Sequence, residues 1–270
     1  MPSASDVAAH GSPPAVGSDR PRALVTGAGR GIGATVAVRL AHEGHRLALT
    51  ARSRDELEQV AGALPDGTDV LVLPDDLMDA EAPGRLVRAV TQAWGGIDVL
   101  ICNAGAGVSA PVVKTSDSDW QRMLDLNLTA PFRLMRAALP GMVDRGWGRV
   151  VVVASVAAKV GEPYISAYVA SKHGVLGLVR AAAAELARSG VTVNAVCPGY
   201  VDTPMTDATV RGIVEMTGRT EAEARRILER KQPTGRLVTT DEVAEAVWAC
   251  VANSGITGQG INVDGGAVQS

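Results

Sequence analysis

"RALVTGAGRGIGATVAVRLAHEG", residues 22–44, is the stretch whose reading decides the fold. It opens with a short apolar β-rich run, Arg22 to Gly27, passes glycines at 27, 31 and 33, and continues with helical period to Gly44. The run does not alternate with polar residues, which is the pattern of a strand buried on both faces. A glycine permits a tight turn and a close approach of backbone, and the helix that follows offers unpaired N–H groups and the positive end of its dipole. The spacing is G-x-x-x-G-x-G, immediately between strand and helix, and its mechanism suits a pyrophosphate.

The same strand-then-helix unit recurs outward from this stretch. Strand-like runs fall at 46–51, 69–74, 97–105, 149–155, 191–199 and 258–266, and with 22–27 they make seven. Helical patterns lie between them at 33–44, 54–64, 82–95, 117–146 and 166–190. This alternation predicts an α/β fold: a single doubly wound Rossmann-type domain over 21–270, with a seven-stranded parallel sheet flanked by helices and right-handed crossovers. Ligands in such sheets bind beyond the carboxyl ends of the strands. Residues 203–235 stand out as an insertion.

Composition narrows the function classes. The 270 residues are 46% hydrophobic, enough for one large core, and the formal charge of -3 includes no long basic or acidic run. Neither a nucleic-acid footprint nor a polybasic membrane anchor is expected. Residues 1–20, rich in small residues and proline, read as a disordered tail rather than a signal peptide. No run of about 18 uncharged apolar residues occurs, so no transmembrane helix is expected. The three cysteines, Cys102, Cys197 and Cys250, lie far apart and fit neither a disulfide framework nor a metal site, so a reducing cytoplasm and no metal are expected.

At the end of the second strand, "LALTARSRDE" supplies Ala51 and Arg52, with no carboxylate before Asp55. An acidic residue there would suit the ribose 2′-hydroxyl of NAD, whereas arginine suits a 2′-phosphate. Arg52, with Arg30 as a second positive group in the loop, favours NADPH over NADH.

In "SAYVASKHG", residues 166–174, Tyr168 and Lys172 stand four apart, which on a helix puts both on one face. An isolated pair of this kind reads first as a solvated surface, and the remaining motifs give it meaning. The chain from 21 to 266 resembles the short-chain dehydrogenase/reductase family, motif by motif and in the family's order. The loop "TGAGRGIG" with Gly27, Arg30, Gly31, Ile32 and Gly33 is similar to the family's cofactor loop. Asp76 and Leu77 in "PDDL" are similar to its adenine-contacting segment. Asn103, Ala104 and Gly105 in "CNAG" match its NNAG motif, with Cys102 in place of the first asparagine. Pro198, Gly199, Val201 and Thr203 in "PGYVDT" match the segment that holds the nicotinamide amide.

The resemblance implies a catalytic tetrad of Asn127, Ser155, Tyr168 and Lys172, with Tyr168 and Lys172 also touching the cofactor. A developing alkoxide needs a proton donor and hydrogen bonds that strengthen in the transition state. A free phenol, pKa about 10, is a poor acid or base at neutral pH, and a nearby ammonium favours its ionised form. Ser155 would bond the substrate oxygen, Tyr168 would deliver the proton, and Lys172 would supply the charge. His173 points about 100° away from Lys172 on a helix and reads as a packing or interface residue. Lys159 and Glu162 are candidates for the substrate mouth.

Substrate is read from the insertion. Thr220 with Glu223 forms a capping box for a helix carrying Ile227 and Leu228. In the family such an insertion covers the cleft, so Met205, Val210, Ile213, Val214 and Met216 are expected to build an apolar wall. Arg225, Arg226, Arg230 and Lys231 read as a solvated face, or as a surface for an acyl carrier protein or coenzyme A phosphates. The resemblance is nearest to 3-oxoacyl-thioester reductases and aromatic polyketide ketoreductases, although the loop "AGVSAPV" lacks the proline-glycine-glycine of the latter. The expected activity is NADPH-dependent reduction of a 3-oxoacyl thioester or polyketide carbonyl, by a cytoplasmic homotetramer. The alternatives are an NAD-dependent hydroxyacyl-CoA or secondary-alcohol dehydrogenase and, outside enzymes, a nucleotide-binding scaffold or sensor.

Overall fold

The computed structural model describes residues 20–269; apart from Arg20, the expected N-terminal tail lies outside the described residues. Seven strands form one sheet: β1 (Arg22–Thr26), β2 (Arg46–Thr50), β3 (Val70–Val72), β4 (Val99–Cys102), β5 (Gly148–Val153), β6 (Val191–Pro198) and β7 (Gly260–Val263). Their order is β3-β2-β1-β4-β5-β6-β7, every pairing is parallel, and the direction of progression reverses between β1 and β4. That reversal leaves a crevice at the carboxyl ends of β1 and β4, the place where open α/β sheets bind ligands.

The lack of alternation along the strands has its cause in two cores. On one face α3 (Ala82–Trp94), α5 (Ala130–Asp144) and α6 (Ser166–Leu186) pack on Leu24, Leu100, Val150 and Val193. On the other, α1 (Gly31–His42), α2 (Arg54–Gly62) and α9 (Thr240–Ala252) pack on Ala23, Val25, Val151 and Val196. Neighbouring residues of β1, Leu24 and Val25, therefore serve opposite cores, each fully buried.

The helical pattern over 117–146 is interrupted in the structure. Helix α4 (Asp117–Leu124) widens into one π turn at Asp125–Thr129 before α5 begins. The insertion folds as α7 (Pro204–Thr217) and α8 (Glu221–Glu229), the latter started by the expected Thr220–Glu223 capping box. An equivalent box, Thr239 with Glu242, starts α9, a helix the periodicity reading did not single out.

Candidate active site

The glycine loop is shaped by contacts that only hydrogen at Cα tolerates. Gly27 and Gly31 have φ of 63° and 54°, left-handed values costly to residues with a side chain. A Cβ on Gly33 would stand 2.2 Å from the Gly27 carbonyl oxygen, closer than atoms can approach. The loop is strapped to β4 by Asn103, whose amide donates to the carbonyls of Thr26 and Gly27 at 3.0 and 3.1 Å. The Thr26 hydroxyl accepts from the backbone N–H of Asn103 and Ala104 at 3.0 and 3.1 Å, a brace that the motif reading missed.

Helix α1 starts at Arg30 without a side-chain cap and with no acidic residue in its first turn. Its N–H groups and dipole therefore suit an anion, so the cradle fits the phosphates of a dinucleotide. Arg52 is exposed at the end of β2 and, among the described residues, makes no hydrogen bond or ion pair. Arg30 pairs with Glu56 at 3.3 Å, so the two arginines expected to act together differ in availability. Asp76 closes a turn after β3 by accepting from the Met78 N–H at 3.0 Å, while Leu77 is buried in the core.

At the far side of the crevice, Gly199 donates its N–H to Val263 at 3.0 Å, and Pro198 and Val201 are buried. Thr203 caps α7, and its methyl lies 3.4 Å from where a Gly31 Cβ would be, so this segment meets the glycine loop directly.

Ser155 follows β5, and its Oγ accepts from the Ala157 N–H at 3.1 Å. Tyr168 and Lys172 lie on α6, as their spacing requires. Lys172 is 5% exposed; its Nζ donates to the Val153 carbonyl at 3.0 Å and stands 5.6 Å from the centre of the Tyr168 ring. Burial pulls the Lys172 ammonium down to a pKa of about 8. Burial likewise raises the Tyr168 phenol above its usual value, the Ser155 side chain works against that rise, and Glu162 adds to it.

Asn127 sits in the π turn, 1% exposed, and pairs with both backbone groups of Ala106, each at 3.0 Å. The extra residue in that turn carries Asn127 toward α6, where its amide donates to Ser171 Oγ at 3.1 Å. Ser171, fully buried, passes the contact on to the Tyr168 carbonyl at 2.8 Å. A Cβ on Gly105 would stand 2.9 Å from Asn127 Oδ1 and 3.7 Å from Lys172 Nζ, so this glycine keeps the floor between them open. Ser171 looked like one of several small residues between Tyr168 and Lys172; its helical position on their face was the available signal.

Other expectations divide. His173 is exposed and, among the described residues, bonds only the Val169 carbonyl of its own helix, at 3.0 Å. Lys159 turns to the Gly260 carbonyl at 2.6 Å, toward β7, and Glu162 accepts from the Tyr200 hydroxyl at 2.8 Å. Val210, Ile213 and Val214 pack with Ala224, Leu228 and Leu237 into a small separate core, and Met205 and Met216 are exposed. Two short helices can hold a fixed shape only by burying apolar surface between themselves. Arg225 is ion-paired with Asp202, Asp207 and Glu229. Cys102 is buried, which pushes its thiol up to about 12 and makes it an uncharged packing group.

A family model described as short chain dehydrogenase matches residues 21–213. The chain belongs to the short-chain dehydrogenase family. It is 35% identical over 252 residues to the D-beta-hydroxybutyrate dehydrogenase of Rhizobium meliloti, covering 90% of this chain and 97% of the relative. It is 39% identical over 249 residues to the monensin polyketide synthase ketoacyl reductase of Streptomyces virginiae, covering 90% and 95%. Among solved structures, an actinorhodin polyketide ketoreductase variant with NADPH superposes with a TM-score of 0.88 at 37% identity, covering 92% of this chain and 97% of that one. The short-chain dehydrogenase chain described here is thus an oxidoreductase with the family's sheet and crossovers. No helix among the described residues is long and apolar enough to cross a membrane.

Proposed function

We propose that this short-chain dehydrogenase is an NADPH-dependent ketoreductase, converting the carbonyl of a 3-oxoacyl thioester or polyketide intermediate to a secondary alcohol. The observation that carries the reading is Lys172, buried 5.6 Å from the Tyr168 ring and 3.7 Å from where a Gly105 Cβ would be. A buried lysine is costly and is retained where its charge is used.

Gly27, Arg30, Gly31, Ile32 and Gly33 would hold the pyrophosphate, Arg52 the 2′-phosphate, and Asp76 and Leu77 the adenine. Asn103, Ala104 and Gly105, with Pro198, Gly199, Val201 and Thr203, would enclose the nicotinamide end. When bound, the cofactor supplies the hydride. Ser155 then donates a hydrogen bond to the substrate oxygen, and Tyr168 gives that oxygen its proton. Lys172, still mostly protonated at pH 7 with a pKa of about 8, stabilises the phenolate left behind. Asn127, locked by Ala106 and Ser171, keeps the polar floor in register for returning the proton.

The test is loss of 340 nm absorbance with NADPH and a 3-oxoacyl thioester. Tyr168→Phe is expected to lower kcat by about 10²-fold or more while NADPH still binds; turnover equal to the parent would overturn the assignment. Comparing kcat/KM for NADPH and NADH, in the parent and in Arg52→Asp, tests the cofactor. A second reading, an NAD-linked hydroxyacyl dehydrogenase, is favoured by the near full-length similarity to a hydroxybutyrate dehydrogenase and by the Arg30–Glu56 pair, which leaves Arg52 as the unpaired arginine of the two. A parent preference for NADH would install it.

A further inference from the structure

Residues 231 and 232, where α8 turns back toward the sheet, hold Tyr200 at both ends. The Lys231 ammonium is ion-paired with Glu162 and lies 3.4 Å from the Tyr200 hydroxyl, 5.3 Å from the centre of its ring. The Tyr200 hydroxyl itself donates to Glu162 at 2.8 Å. Gln232, 2% exposed, donates to the Tyr200 carbonyl at 3.1 Å and to the Arg236 carbonyl at 2.6 Å. Three segments far apart in sequence converge here: the loop between Ser155 and Tyr168, the Pro-Gly-Tyr turn after β6, and the end of the insertion.

Burial raises the pKa of the Tyr168 and Tyr200 phenols, and the charge of Glu162 adds to the rise in each, which is why that charge matters at this spot. Ser155, Glu162 and Cys197 act on the Tyr168 phenol, Tyr168 acts on Tyr200, and Lys172 stands 5.6 Å from the centre of the Tyr168 ring. The groups facing Glu162 are Tyr200 and Lys231. Within these two sets Glu162 is the carboxylate and Lys231 its counter-charge. A phenolate formed during turnover would be opposed by Glu162 if that carboxylate stood alone.

We propose that Lys231 is a positioning residue that neutralises Glu162 beside the phenol of Tyr168 and, through the same contact, fastens the α7–α8 insertion to the loop leading into α6. This rests on the reading of Tyr168 as the proton-transfer group.

The experiment follows the reverse reaction, oxidation of a 3-hydroxyacyl thioester with NADP+, whose rate rises with pH as the phenol ionises. Lys231→Met leaves Glu162 uncompensated, and the midpoint of the profile is expected to move up by about half a pH unit or more. Glu162→Gln leaves the lysine uncompensated and is expected to move it down. The double variant Lys231→Met with Glu162→Gln, although it lacks the ion pair, is expected to return to the parent midpoint. Unmoved midpoints, single variants shifting in the same direction, or a double variant that keeps the Lys231→Met midpoint would each overturn the inference. If Lys231→Met fails to fold, the Glu162→Gln shift decides alone: downward supports the inference, unmoved or upward overturns it. Tyr168→Phe, run alongside, separates the two levels. An active Tyr168→Phe removes the reading of the site itself, whereas an inactive one with unmoved midpoints removes only the role of Lys231.

Discussion

Replacing Lys172 with methionine should stabilise the protein at neutral pH while disabling it. The ammonium is 5% exposed, and burial lowers its pKa from 10.5 to about 8. A difference of roughly 2.5 between the two values, at about 1.4 kcal/mol each, corresponds to a penalty on the order of 3 kcal/mol for holding the charge in the folded state. Methionine keeps the unbranched stem, but leaves the Val153 carbonyl without its 3.0 Å donor, a loss of about 1 kcal/mol or more. The net gain near pH 7 is on the order of 2 kcal/mol, or roughly 4–8 °C in Tm for a chain of this size.

The sign with pH follows from proton counting. Below pH 8 the lysine is charged in both folded and unfolded states, so the penalty is present in full. Between about 8 and 10.5 the unfolded chain binds more protons than the folded one, and the parent gains stability as pH rises. The advantage of Lys172→Met should therefore shrink to less than about half by pH 9.5. Thermal melts of both proteins without cofactor, at pH 7 and pH 9.5, measure it. A lower Tm for the variant at pH 7, or a gap that does not change with pH, would refute the reasoning.

Two further outcomes concern the cradle and the floor. Gly33→Ala puts a methyl 2.2 Å from the Gly27 carbonyl and 2.5 Å from the Asn103 amide, and a backbone oxygen yields little; NADPH affinity by fluorescence titration should fall about tenfold or more. Ser171→Ala removes the acceptor of the Asn127 amide in a fully buried position, at a cost of about 1–3 kcal/mol. Its kcat should fall roughly tenfold with KM little changed, whereas equal losses of Tm and no change in kcat would make Ser171 purely structural.

The seven strands and their glycine loop were legible because each carries its reason locally. Leu24 and Val25 are adjacent and both apolar because both faces of β1 are covered, and Gly27, Gly31 and Gly33 mark a turn that excludes side chains. The fourfold spacing of Tyr168 and Lys172 sets a shared helix face before any tertiary contact exists. Thr220 and Thr239 likewise announce their helices by local capping, although the second was passed over. The insertion was read less well. Hydrophobicity shows that Val210, Ile213 and Val214 are to be packed, not against what, and only the fold sets them on Ala224, Leu228 and Leu237.

By itself, then, the order of residues determined the sheet, the tight glycine turn after its first strand and the helix face that Tyr168 and Lys172 share, since period, glycine conformation and helix spacing act over a few neighbouring residues; the candidate tetrad came from the resemblance to the family. Only the tertiary structure decided that a π turn brings Asn127 to Ser171, that Arg30 is taken by Glu56 while Arg52 is not, and that Lys231 meets Glu162 across 69 residues. Contacts of that kind depend on where separate elements come to rest, and electrostatic and hydrogen-bond energies depend on distance and burial, neither of which is written in any short stretch of the chain.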